Sequence, residues 1–354
     1  MVRDEQGRKM SKSLGNSPEP LDLIAEYGAD AVRFTTLYLA PLGQDVLYSA
    51  QKNEIGRNFA NKIWNAGRFL LMNRDQIGEA SPAEMHLEHL DLADRWILSR
   101  LHSTVKELIS ALAQYEINKV SKTVYDFFWH DYCDWYVEMI KSRLYGSESA
   151  EVKKSIMSRA LDAYEAALKL LHPFMPFVTE ELWQSIRKRP PLATIMHSRI
   201  IEPDEKFIDH QVEREMAFVQ SVIEAVRNIR GEMGIPPAKE ISVVMKLGPA
   251  REPASVKRYD GYFQRLARVR SLEFVQGNAR PRAAASAVVE SEEIYVPLEG
   301  LIDISLERTR LKKEIDRING VLSGIRNKLN NVSFVEKAPK EVVGKEREKL
   351  ESFE

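Results

Sequence analysis

Apolar positions recur at helical spacing along most of this chain. In "PEPLDLIAEYGADAVRFTTLYLA", residues 18–40, Leu21, Ile24 and Ala25, then Ala31, Val32, Phe34 and Leu37, keep a three-and-four spacing that Gly28 breaks. A longer period begins at Gln51, where Ile55, Phe59, Ile63, Ala66 and Leu70 form one stripe and Arg57, Lys62 and Arg68 lie off it. Asp91 is placed to cap a second long helix with Trp96, Leu98, Leu101, Val105, Leu108 and Leu112 turned inward. An aromatic-rich third helix over 117–145 and a "GSESAE" linker follow, and Ser147 or Ser149 can cap a fourth helix over 152–172. Pro173 can open a fifth, since proline is tolerated in a first turn. Successive amphipathic helices with short joints predict an antiparallel bundle.

After "RPP" at 189–191 the texture changes. A helix over 217–234 precedes short strand-like runs, "ISVVMKL", "SLEFVQ" and "EEIYVPLE", which predict a small α/β module, with "GNARPRAAASA" as an exposed loop. From Leu301 the apolar residues Ile304, Leu311, Ile315, Ile318, Leu322, Ile325 and Leu329 alternate by three and four, with Arg308 in one seam position, predicting a coiled-coil helix. "NNVSFVEKAPKE" is its expected turn, and Val343, Leu350 and Phe353 mark a shorter return helix. So short an arm leaves about half of the outbound seam bare, as a truncated or disordered C-terminus would. The predicted class is mainly α: a helical bundle, a small α/β module and an antiparallel coiled-coil hairpin. The boundaries fall at 1–50, 51–205, 206–300 and 301–354.

Composition narrows the setting. Charged residues are 29% and hydrophobic residues 44% of the 354, and no apolar run approaches the ~18 residues of a membrane helix. One cysteine, Cys133, excludes an internal disulfide framework and a Cys-x-x-Cys zinc site, so a reducing cytoplasm is the simplest compartment. A net charge of −1 gives no global basic signal, and any nucleic-acid contact must be local. His130 and Asp134 stand one helical turn apart, but two ligands on one helix do not make a metal site, and none is expected.

The chemistry concentrates in "RKMSKSLGNSPEP", residues 8–20. Lys9 and Lys12 sit between Gly7 and Gly15 with Met10, Ser11 and Ser13. Flexible ammonium groups suit a triphosphate, because they can follow charge onto the leaving oxygens, and serine hydroxyls and loop amides add donors. Composition alone would leave a solvated hydrophilic loop. The string decides otherwise: "KMSKS" followed by "LGN" resembles the second signature of class I aminoacyl-tRNA synthetases. "EYGADAVRF" looks like that family's stem-contact region, and "NKIWNAGRF" like the start of its anticodon-binding bundle. "LAPLGQDV", "YDFFWHDYCDWYVEMIK", "LHPFMPFVTEELWQ", "VRNIRGEMGIPPAKE" and "FVEKAPKEVV" narrow the resemblance to the valyl-tRNA synthetases, over essentially the whole chain.

The resemblance implies a ligase that activates valine with ATP and Mg2+ and transfers it to tRNA-Val. Lys12, assisted by Lys9, would stabilise the pyrophosphate leaving group, with Met10, Ser11 and Ser13 completing the ATP loop. Lys62, Arg68 and Phe69 would read the anticodon, where splayed bases stack on aromatic or guanidinium planes. Phe69 taken alone reads as core, as do most of Tyr125, Phe127, Phe128, Trp129, Tyr132, Trp135 and Tyr136. On the terminal arm Arg308, Arg310, Lys312, Lys313, Arg317, Arg326 and Lys328 outnumber Glu307, Glu314 and Asp316 seven to three, and would meet the tRNA elbow rather than form a merely solvated face.

The remaining expectations concern what lies outside the chain. No His-Ile-Gly-His-type signature, nucleotide-binding sheet or editing domain can be found, so the chain reads as a piece of a longer, monomeric, membrane-free enzyme and is expected to be inactive alone, its opening loop mobile. Isoleucyl- or leucyl-tRNA synthetases are the nearest alternatives; many of the former end in a cysteine-bound zinc module that one cysteine cannot build. A non-catalytic RNA-binding or coiled-coil protein is the distant alternative, and it has no reason to keep "KMSKS".

Overall fold

The computed structural model describes residues 1–40, 42–79, 90–277, 279–331 and 339–353. It divides into two compact units, Met1–Gln220 and Ser221–Glu354.

The first unit opens with strand β1, Val2–Arg3, parallel to β2, Val46–Leu47, so a short strand does precede the lysine loop. Helices α1, Pro20–Tyr27, and α2, Ala29–Tyr38, meet at Gly28 as the spacing predicts. Leu23, Tyr27, Ala31 and Tyr48 form a small core beneath them, against which Met10 of the loop packs. Helix α3, Asn53–Ile77, then crosses α2 at very close range. A Cβ on Gly56 would lie 2.4 Å from the Ala31 carbonyl oxygen, and one on Gly67 would lie 2.6 Å from the Tyr164 hydroxyl, so both crossings require glycine.

Helix α4, Leu92–Ala113, starts in a capping box: Asp91 accepts from the Asp94 amide and Asp94 from the Asp91 amide. Leu112, expected inward, is exposed, because it lies in the last turn, past the packed stripe that ends at Leu108 and Ala111. Helices α5, Ile117–Asp126, and α6, Val137–Leu144, are continuous through a π-helical segment, Phe127–Tyr136. Its wider turn stacks Phe128, Tyr132 and Tyr136, four apart, on one fully buried face. The aromatic residues are thus mainly core, while Tyr125, Trp129 and Trp135 remain half-buried.

Ser149 caps the nearly all-buried α7, Ala150–Leu171. The next helix, α8, begins at Pro176 rather than Pro173 and ends at Ile186. Asp30 of α2 accepts the Phe177 and Val178 amides of that first turn at 3.1 and 2.7 Å, so a carboxylate from another helix sets where α8 begins. Helix α9, His210–Glu232, contains the division between the units.

In the second unit β3, Ile241–Lys246, β4, Val269–Val275, β5, Ala284–Val289, and β6, Glu292–Pro297, form a sheet of order β4-β3-β6-β5. The parallel β3–β4 pair is joined through helices α10, Pro253–Lys257, and α11, Asp260–Ala267, as a parallel crossover demands. Residues 284–287, the end of the expected "GNARPRAAASA" loop, instead begin a paired edge strand. Helix α12, Ile304–Asn330, packs on α13, Lys340–Phe353, burying Ile325 and Val343 and leaving Ile315 57% exposed. The return helix therefore covers only the distal part of the seam. Most of the expected turn, 332–338, lies outside the described residues, as do the side chains of Ile304, Leu311 and Phe353.

Candidate nucleic-acid interface

The opening loop is held, not mobile as expected, and Asn16 and Asp4 make most of the hydrogen bonds that hold it. Asn16 Nδ2 donates to Asp4 Oδ2 at 2.9 Å and to the Lys9 carbonyl at 3.3 Å, while its Oδ1 accepts the Ser11 amide at 2.9 Å. Asp4 also accepts the Arg8 amide and Nε, each at 2.8 Å, so its carboxylate closes both ends of the loop. The Asn16 hydrogen bond, ahead of those from Arg8, holds the Asp4 carboxyl down at about 2. Ser11 Oγ accepts the Leu14 amide at 3.3 Å and lies 3.1 Å from Ser13 Oγ. Met10 anchors the loop below, and Lys9 and Lys12 project outward, exposed and unpaired among the described residues.

Helix α3 carries the expected base-reading residues on two adjoining strips. Lys62 and Phe69, seven residues apart, lean toward the π-helical segment and α6: Lys62 pairs with Asp134 and its Nζ lies 3.9 Å from the Trp129 ring centroid. Lys141 Nζ stands 5.3 Å from the Phe69 ring, which is half-buried. His130 Nδ1 is 3.3 Å from Asp134, whose other oxygen is taken by Lys62, and no group of three metal-ligating side chains occurs among the described residues. Arg68 lies on the outward strip, exposed beside Asn61 and Asn65, with Trp64 42% and Met72 61% exposed.

Trp64 and Met72 were not among the sequence candidates. Their signal was present in the pattern: both are large apolar residues off the buried stripe, on a helix whose stripe is otherwise complete. Lys62 is likewise no bare cation, because any phosphate must compete with Asp134 for it. The strip presents indole, thioether, amide and guanidinium groups side by side, which suits splayed bases better than a duplex.

On α12, Arg308, Arg310, Lys312, Lys313, Arg317, Arg326 and Lys328 are all exposed, and Arg317 is paired with Glu314 at 2.6 Å. These belong to the second unit, whereas Lys9, Lys12, Lys62, Arg68 and Phe69 belong to the first.

This loop and helical bundle define a class. Residues 1–49 match the family model of class I tRNA synthetases (I, L, M and V), and residues 94–245 match the anticodon-binding domain of tRNA ligase. Residues 303–354 match the valyl tRNA synthetase tRNA binding arm. The chain belongs to the valyl-tRNA synthetase family. It is 42% identical to the valine–tRNA ligase of Syntrophotalea carbinolica over 100% of its own length and 39% of that protein's. With the Thermotoga maritima ligase it shares 42% identity over 99% of the chain and 38% of the relative, and with the Geobacter sulfurreducens ligase 43% over 99% and 39%. It thus spans about two fifths of the length of the curated relatives it matches. No helix among the described residues is long and apolar enough to cross a membrane.

Proposed function

We propose that this chain is the tRNA-recognising body of a valine–tRNA ligase, which forms valyl-adenylate from valine and MgATP and transfers the valyl group to tRNA-Val. The observation that carries this reading is the outer surface of α3, where Arg68, Trp64 and Met72 stand exposed and Lys62 and Phe69 flank them. Exposed apolar and cationic groups on a helix already packed on its other side are more than the bundle core needs. Single-stranded bases give them a use, with Arg68 and Lys62 taking phosphates or base edges and Phe69 and Trp64 offering faces to stack on.

In the complete ligase Lys12 and Lys9 would follow charge from the triphosphate onto leaving pyrophosphate, with Met10, Ser11 and Ser13 forming the rest of the loop. Domain boundaries near 50, 205 and 300 follow the same reading, with the α12–α13 arm meeting the tRNA elbow through Arg308, Arg310, Lys312, Lys313, Arg317, Arg326 and Lys328. The chain itself carries no His-Ile-Gly-His-type signature and is expected to catalyse no valine-dependent ATP–pyrophosphate exchange alone.

The test is a binding titration of the chain with a tRNA-Val transcript and an anticodon-changed transcript across salt concentrations. Lys62→Ala with Arg68→Ala should weaken tRNA-Val binding by roughly tenfold or more and shrink the preference between the two transcripts. Equal affinity of parent and variant at physiological salt would sink the assignment.

A further inference from the structure

Residues 246–302 lie between the ranges matched by the anticodon-binding and tRNA-binding-arm models, yet their backbone goes out of its way to display arginines. Arg268 ends α11 in the left-handed region at φ 56°, a position that usually falls to glycine. That conformation is locked from both sides: its N–H donates to the Phe263 carbonyl, and its own carbonyl accepts the Ile241 amide at 3.0 Å. Two residues on, the β3–β4 ladder slips, Ile241 pairing with Val269 and Ser242 with Ser271, so Arg270 is the extra, bulged residue. Arg265 occupies the last turn of α11 opposite the buried Phe263 and Ala267. All three are exposed, and none forms an ion pair among the described residues.

The layer beneath holds two more arginines bound to backbone carbonyls. Arg227 Nε donates to the Leu266 carbonyl at 2.9 Å, and the buried Arg230 gives its donors to the carbonyls of Ala267, Pro236, Pro237 and Lys239. Burial, and then the like charge of Arg268, press the Arg230 guanidinium below its ordinary range. Asp260 stands at the other end of α11, and Glu273 lies three residues further along β4. A strained terminus and a bulge, each leaving a cation exposed, are more than core packing requires.

We infer that Arg265, Arg268 and Arg270 form a further RNA contact of this chain, gripping the phosphate backbone of the tRNA without reading its sequence. The inference rests on the tRNA reading above. Spread across a helix end and a strand edge, the three guanidinium groups suit successive phosphates along a strand, and arginine donates to each in bidentate fashion.

The test uses the chain with Arg265→Gln, Arg268→Gly and Arg270→Gln together, titrated by fluorescence anisotropy with tRNA-Val and anticodon-changed transcripts between about 50 and 200 mM KCl. The log–log salt slope should fall by about 2–3, and affinity near physiological salt about tenfold or more, with the preference between transcripts unchanged. Arg270→Gln alone leaves the helix terminus untouched and should lower the slope by about 1. Parent-like slopes in both variants, alone or with new self-association from an unguarded β4 edge, would overturn the inference and leave the arginines as guards against strand pairing. A parent chain that binds neither transcript would overturn the tRNA reading itself; loss of anticodon preference only in the Lys62→Ala, Arg68→Ala variant keeps the two separate.

Discussion

Glu165 shows how the bundle tolerates a buried charge. It is 7% exposed and lies within 3.0 Å of Lys169, Arg187 and Arg189, with the Trp183 indole N–H at 3.2 Å. Burial alone would raise its carboxyl, but hydrogen bonds from Arg189 and Lys169 prevail and hold it at about 2. A folded value below the unfolded one stabilises the protein above the unfolded value near 4.5, and that stability drains away as pH falls toward 2. Glu165→Gln should therefore cost on the order of 2–3 kcal/mol at pH 7, since it leaves three cations facing a neutral amide. The deficit should close between about pH 4.5 and 2, as read by urea denaturation midpoints. A deficit independent of pH would assign the loss to packing. The same scale separates what the sequence made legible at the candidate site from what it did not. Lys9, Lys12, Lys62 and Arg68 were visible because each is a cation in a recognisable string or off an apolar stripe. The Asp4–Asn16 staple and the Lys62–Asp134 pair were not, since their partners stand 12 and 72 residues apart with no period linking them.

Among elements, those whose apolar spacing matched 3.6 or 2 residues were readable, and the exceptions have physical causes. The π-helical turn between α5 and α6 keeps aromatic residues at a spacing of four in phase, where an α-helix would let them drift, so a three-and-four reading found the core but not the geometry. Strand β5 went unread because "AAASAVV" has small residues on both faces and no alternation; its pairing with β6 decides its state. The start of α8 moved from Pro173 to Pro176 because Asp30, distant in sequence, caps it. Close helix crossing was equally hidden, although the glycines that permit it were in plain view. Gly56→Ala would drive a methyl group to 2.4 Å from a backbone carbonyl that cannot rotate away, pushing α3 off α2. We expect a loss of about 2–3 kcal/mol, or roughly 5–10 °C in melting temperature for a unit of this size, measured by thermal denaturation. Gly231→Ala, with nothing within 4 Å of its added carbon, is the control and should be neutral or slightly stabilising.

Across the whole molecule the net charge of −1 conceals where cations are concentrated: the opening loop, the outer strip of α3, the β4 edge and the α12 surface. Such segregation lets a nearly neutral chain bind a polyanion locally while keeping the rest of its surface unattractive to it. The proposed division of labour follows from chemistry. The exposed Trp64 and half-buried Phe69 rings accompany the cations on α3, so base discrimination is expected there, whereas α12 carries no aromatic residue and should add affinity without selectivity. Removing residues 303–354 deletes Lys345, Arg347 and Lys349 of α13 and the seven exposed basic side chains of α12, of which Arg317 is paired with Glu314. If a majority of those on α12 meet phosphates, the log–log salt slope of tRNA binding should fall by about 3–5, and affinity near physiological salt by about a hundredfold. The affinity ratio between tRNA-Val and its anticodon-changed counterpart should stay as it was. A truncated chain that lost this ratio along with its affinity would show the arm to be part of the reading head, and a truncated chain with undiminished affinity would place all of the phosphate contacts in the remaining 302 residues.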